Sequence, residues 1–170
     1  MKIRPEESVG YWLFYAHRAA AYAFYEALKA CCLEHNKTYV ITPPQWGVLS
    51  LLYESDGITI GTVSQKRGFD APTITGIVNR LEANGLVERV HDRKDRRQVK
   101  LYLTEEGRDI MQFLPDAAES FHEIMVQSFS EAEQHDLVMK MQQLIANLSS
   151  IGPSTGERFG ILPEFLRQDL

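Results

Sequence analysis

Cysteine is nearly absent from this 170-residue chain: there are two, Cys31 and Cys32, side by side. Neighbouring residues on a helix point about 100° apart, so this pair is poorly placed to bridge and no disulfide framework follows. No run of about 18 apolar residues is present, which excludes a membrane-spanning helix. The first residues, MKIRPEES, lack the apolar core of a secretion signal, so a cytoplasmic protein with no membrane partner is expected. Catalytic signatures are missing too. There is no Gly-rich phosphate loop, no G-x-S-x-G and no H-E-x-x-H. The five histidines are scattered, and only His122-Glu123 and His135-Asp136 invite a look as metal ligands. No enzyme activity, cofactor or metal site is indicated.

An excess of positive charge is also lacking, since the net charge is −5. Its distribution is uneven. Thr59 to Lys100 holds nine Lys/Arg against five Asp/Glu, leaving nine against 18 for the rest of the chain. Basic charge gathered into one contiguous quarter of an acidic protein is the footprint of a nucleic-acid-binding module.

What the chain does have is helical periodicity. From Val9 to Glu34 there is no Gly or Pro after Gly10, and alanine is frequent, which predicts one long helix. Val9, Trp12, Leu13, Ala16, Ala20, Ala23, Ala27 and Cys31 form an apolar stripe. Tyr11, Phe14, Tyr15, Tyr22, Phe24 and Tyr25 lie largely off it. A helix apolar on most of its circumference must be covered on more than one side. A partner subunit is the economical explanation; two tightly packed intrachain neighbours are the alternative.

Thr42-Pro43-Pro44-Gln45 has the form of a capping box with Pro at the first helical position. It opens a helix with Trp46, Leu49, Leu52 and Tyr53 on its apolar face. A short helix follows from a Thr59 cap to Arg67, stopped by Gly68. Asp70 should cap the next, with Pro72 in its first turn and Gly85 closing it after Asn84. Ile74, Ile77, Val78 and Leu81 point inward at helical spacing. Thr73, Thr75, Gly76, Asn79 and Arg80 face outward: small, hydrogen-bonding residues and one cation, types that can approach and read base edges. Two helices joined by a tight Gly-containing turn describe a helix-turn-helix.

Two short runs come next, Leu86 to Val90 and Val99 to Leu103. In the second, Val99, Leu101 and Leu103 alternate with Lys100 and Tyr102, the period of a strand with one buried face. The loop between them, His91 to Arg97, carries Arg93, Lys94, Arg96 and Arg97. Such a hairpin tip suits the electronegative minor groove; a solvated loop whose Asp and Arg residues pair with each other is the bland alternative. Its place directly after the helix-turn-helix favours a wing. Thr104 then caps a helix whose apolar positions continue to Phe129, with Pro115 implying a kink or break. Ser130-Glu131-Ala132-Glu133 starts the last long helix, and a tail follows over 150–170.

The run Asp92-Arg93-Lys94-Asp95-Arg96-Arg97, followed by Leu101, Leu103-Thr104 and Gly107, resembles the wing signature of MarR-type (multiple antibiotic resistance) regulators. Gln45 with Val48-Leu49, and Arg80-Leu81-Glu82 with Gly85-Leu86-Val87-Arg89, match other recurrent positions of that family. The resemblance is strong over about residues 40 to 110. It implies a mainly α fold with a small β-hairpin: a winged helix-turn-helix over 41–105, flanked by dimerisation helices over 1–40 and 106–170. It implies a homodimeric regulator, usually a repressor, bound to double-stranded DNA at a pseudo-palindromic operator. The helix over 70–84 would occupy the major groove with Pro72, Thr73, Thr75, Gly76, Asn79 and Arg80. The wing over 91–98 would enter the minor groove, led by Arg97 and assisted by Arg93, Lys94 and Arg96. Asp95 would orient the neighbouring arginines rather than touch DNA.

Relatives that respond to small aromatic or phenolic effectors hold them between the dimer helices and the winged-helix lobe. In this chain Trp12, Tyr15, His17, Arg18 and Trp46 could line such a site, an aromatic wall with one cation suiting an aryl carboxylate; ordinary core packing is the alternative for the aromatics. Peroxide-sensing relatives carry a cysteine near the start of the first helix, where Tyr11-Trp12-Leu13 has none. A redox response through Cys31 and Cys32, or a winged helix that binds protein instead of DNA, are the competing readings.

Overall fold

The computed structural model describes residues 4–92, 95 and 97–149. The tail over 150–170 lies outside the described residues, as do Arg93, Lys94 and Arg96 at the hairpin tip. The chain divides into two compact units, one formed by 4–43 with 113–127 and the other by 44–112 with 128–149.

The first unit is built on α1 (Val9–Glu34), preceded by a 3-10 turn, Pro5–Glu7, whose chain end is tied down when Trp12 Nε1 donates to Glu6 O at 2.9 Å. α6 (Leu114–Val126) packs against α1, and Phe24 stacks on Phe121 at 4.7 Å between ring centroids. Pro115 stands in the first turn of α6, where its missing N–H is harmless. Of the kink or break expected at Pro115, the chain takes the break: the preceding helix ends at Ile110 and α6 starts at Leu114. At the far end of α1, the His35 ring stacks on Phe113 at 3.8 Å, and Lys37 Nζ stands 5.7 Å from the same ring. Leu28, Cys31, Cys32, Ile41 and Leu114 are buried.

The second unit contains α2 (Pro43–Glu54), β1 (Ile58–Thr59), α3 (Ile60–Arg67), α4 (Ala71–Ala83), β2 (Val87–His91), β3 (Val99–Leu103), α5 (Glu105–Ile110) and α7 (Glu131–Ser149). The helix boundaries follow the chemistry of their ends. Thr59 Oγ1 accepts from Thr62 N at 3.2 Å, and Gly68 closes α3 at φ 68°. Asp70 Oδ1 accepts from Thr73 N at 2.7 Å. α7 starts with a reciprocal capping box in which Ser130 N and Oγ both donate to Glu133 Oε2.

β3 is central in an antiparallel sheet of order β1-β3-β2, with Ile58 opposite Leu101 on one side and Arg89 opposite Leu101 on the other. The sequence shows no sign of β1, because two residues cannot display a period. The first run of the hairpin also starts one residue later than expected, at Val87. Leu86 donates its N–H to Leu81 O at 2.9 Å to finish α4, while its carbonyl accepts from Thr104 N at 3.1 Å. It is a fully buried connector rather than a rung of the ladder. The core of this unit is Val48, Leu49, Leu52, Val63, Ile74, Val78, Leu81, Leu86 and Leu101, all at 0% exposure. It includes most of the inward stripe expected for α4. Among the described residues, no helix is long and apolar enough to cross a membrane.

Candidate nucleic-acid interface

The surface expected to meet DNA comprises the outer face of α4 and the hairpin β2–β3. Burying Ile74, Ile77, Val78 and Leu81 forces the opposite face of the same helix outward. On it Pro72, Thr73, Asn79 and Arg80 are exposed, and Thr75 and Gly76 are half-buried. A Cβ built on Gly76 would meet nothing within 4 Å, so this mid-helix glycine has no packing reason inside the chain. The Thr75 hydroxyl donates back to Ala71 O at 2.8 Å, which leaves its oxygen lone pair and its methyl as the groups it can present.

The hairpin tip is shaped by two aspartates. Asp92 Oδ1 accepts from Asp95 N at 3.0 Å, and Asp95 Oδ1 from Arg97 N at 3.0 Å. Backbone bonds from Gln98 N to Asp95 O and from Asp92 N to Gln98 O, each 2.9 Å, close the turn. Asp95 thus grips the main chain of Arg97. A short carboxylate two residues away reaches an amide easily; of the other arginines Asp95 was expected to orient, Arg93 and Arg96 lie outside the described residues. The Arg97 residue itself is exposed.

Charge counting overstated the cations available to a partner. Arg67 turns back onto α2 and donates to Ser50 Oγ at 2.9 Å; burial pushes its pKa down. Lys100 Nζ lies 2.6 Å from Asp92 Oδ2, and that hydrogen bond holds its pKa above the ordinary lysine value. Arg89, on β2, donates to Glu82 Oε2 and, at 2.9 Å, to Asn79 Oδ1, both on α4. Three of the nine cations in the basic segment therefore hold the module together. Among the described residues Lys66, Arg80 and Arg97 remain exposed. The Arg89 bridge was not foreseen from sequence; an arginine placed one helical turn and a strand beyond Asn79 and Glu82 was its only signal.

The expected effector residues divide between the two units. Trp12, Tyr15, His17 and Arg18 are exposed on α1, where Arg18 lies over the Phe14 ring at 5.6 Å and Tyr11 packs on Tyr15 at 4.7 Å. Trp46 is half-buried on α2. The redox alternative loses its chemical basis. Cys31 and Cys32 are both buried, burial pushes both thiols up, and Cys31 Sγ donates weakly to Phe113 O at 3.7 Å. A protonated, shielded thiol is a poor nucleophile. Among the described residues, no three His, Cys, Asp or Glu side chains are grouped to hold a metal ion.

Comparison with known proteins agrees with this geometry. The sequence profile of the MarR family matches residues 41–98. The HTH-type transcriptional regulator TtmR of Methylorubrum extorquens is 38% identical over 104 residues, 61% of this chain and 51% of that protein. The HTH-type regulator YsmB of Bacillus subtilis is 40% identical over 95 residues, 56% of this chain and 65% of that protein. The chain thus spans between half and two thirds of the length of these relatives. A probable transcriptional regulator from Pseudomonas aeruginosa superposes with a TM-score of 0.72 at 26% identity, covering 83% of this chain and 99% of that structure. These relatives are transcriptional regulators, not enzymes.

Proposed function

Because this chain has the winged-helix fold of a MarR-family transcriptional regulator, we propose that it acts as a ligand-responsive homodimeric repressor in the cytoplasm. It binds a pseudo-palindromic operator, α4 in the major groove and the wing, with Arg97, Arg93, Lys94 and Arg96, in the minor groove. The observation that carries the reading is the outer face of α4, where Thr73, Gly76, Asn79 and Arg80 replace the Glu and Lys of an ordinary solvated helix. A protein-binding winged helix would carry apolar groups there. Repression draws support from the homoprotocatechuate degradative operon repressor of Escherichia coli, 26% identical over 110 residues, 65% of this chain and 74% of that protein.

The test is fluorescence anisotropy on operator fragments across a salt series. Binding should weaken steeply as salt rises, since phosphate contacts release counterions. Arg97→Ala should weaken binding by about 1–3 kcal/mol without changing the preferred sequence. Wild-type affinity in this variant at physiological salt would remove Arg97 from the interface.

For the effector, we infer a small aromatic acid meeting Trp12, Tyr15, His17 and Arg18 on α1. A structural relative, BpsR of Bordetella bronchiseptica, has its DNA binding regulated by 6-hydroxynicotinic acid. Thermal-shift measurements against a panel of aryl carboxylates decide the matter, and no shift across the panel discards it.

A further inference from the structure

One guanidinium joins the recognition helix to the wing. Arg89 donates one nitrogen to Glu82 and the other, at 2.9 Å, to Asn79 Oδ1. Its two acceptors stand three residues apart on α4, one turn, so a single planar fork spans both. Arg89 and Glu82 are about three-quarters buried at their side chains, and β2 is locked to β3 in register, Arg89 opposite Leu101. The fork is therefore fixed at both ends before any partner arrives.

This arrangement decides which atom of Asn79 is which. Arginine has donors only, so the amide atom facing it must be the oxygen. The Nδ2 amino group then lies on the other side of an exposed residue, on the face of α4 that carries Thr73, Gly76 and Arg80. Resting on the DNA-binding reading above, we propose that Arg89 is a positioning residue for base reading: it holds Asn79 so that the carboxamide is offered as a donor. A free asparagine reads adenine with both amide atoms, oxygen to N6 and nitrogen to N7. With the oxygen held by Arg89, Asn79 instead selects a base with acceptors on its major-groove edge. Guanine, with O6 and N7 adjacent, fits best; cytosine, which presents an amino donor, fits worst.

The experiment is selection of bound duplexes from a randomised library by the full chain, followed by titration of single-base variants of the selected site. Wild type should prefer guanine over cytosine by about ten-fold at one position of each half-site, the worth of one well-made hydrogen bond. Asn79→Asp keeps the Arg89 contact and replaces the outward donor by an acceptor. It should reverse the preference at that position toward cytosine or adenine, with lower affinity throughout. Arg89→Met frees the amide and should move the preference at that position from guanine toward adenine while other positions keep theirs, and Arg89→Lys should restore guanine in part. Thermal unfolding identifies a variant that does not fold; if Arg89→Met is one, Asn79→Asp and Arg89→Lys carry the decision. An Asn79→Asp protein that selects the wild-type sequence, only more weakly, overturns the inference and leaves the proposed function standing. Wild-type protein that enriches no sequence overturns the proposed function itself.

Discussion

Gly76 is the residue whose presence the chain's own packing does not explain. A glycine inside a helix is about 0.5–1 kcal/mol less favourable than alanine, and a methyl group there would touch nothing. Gly76→Ala should therefore raise stability by about that amount in thermal or urea unfolding. On the proposed reading it should also weaken DNA binding, because the methyl occupies the surface that approaches the groove. A gain in stability with unchanged binding would separate α4's midpoint from the interface. Asp70 makes a second residue-scale prediction. Hydrogen bonds from Thr73 hold its carboxyl below the ordinary Asp value. A depressed folded-state pKa stabilises the fold above the unfolded value of about 4, and that contribution is lost as pH falls through the folded value. Asparagine caps equally well but does not titrate. Asp70→Asn should match wild type at pH 7 and lose less stability between pH 5 and 3, as melting curves across that range will read.

At the scale of elements, the junction of α4, the sheet and α5 leaves least freedom. Gly107 packs so closely on the connector that a Cβ would stand 2.0 Å from Leu86 O. That carbonyl already accepts from Thr104 N, and Thr104 also caps α5 through Gly107 N. Gly107→Ala must separate α5 from the base of the wing, and a loss of more than about 2 kcal/mol is expected in equilibrium unfolding. Glycine at this point of the family signature thus has a packing cause, unlike Gly76. The sequence made α3 and α4 legible to within a residue because each end carries its own chemistry: Thr59 and Asp70 as caps, Gly68 and Gly85 as left-handed stops. It did not reveal β1, whose two residues are strand only because β3 pairs with them. Nor did it reveal that Leu86 closes a helix instead of opening a strand.

At the scale of the whole molecule, apolar surface is left uncovered on the long helices. Tyr22 is 69% exposed on α1 and Ile124 is 66% exposed on α6; Val138 and Leu148 on α7 are exposed as well. Large apolar side chains left exposed on these helices are the kind a partner subunit would cover, which supports the homodimer within the proposed function. Sedimentation at micromolar concentration should give a dimer. Glu at Tyr22 and Ile124 together should shift it toward monomer while leaving the fold of the winged helix intact. A wild-type monomer at these concentrations would end that reading.

The sequence by itself determined the helix-turn-helix, the wing stem and the outward face of α4, because periodicity, caps and stops act over neighbouring residues and are written in order along the chain. It also located the basic segment. Tertiary structure decided how those charges are used: Arg67, Arg89 and Lys100 are drawn inward by Ser50, by Glu82 and Asn79, and by Asp92. It buried Cys31 and Cys32 beyond easy reaction. The physical reason is range: local propensity sees a few residues, whereas the partner of a long charged side chain is chosen by whatever the fold brings within about 3 Å of it.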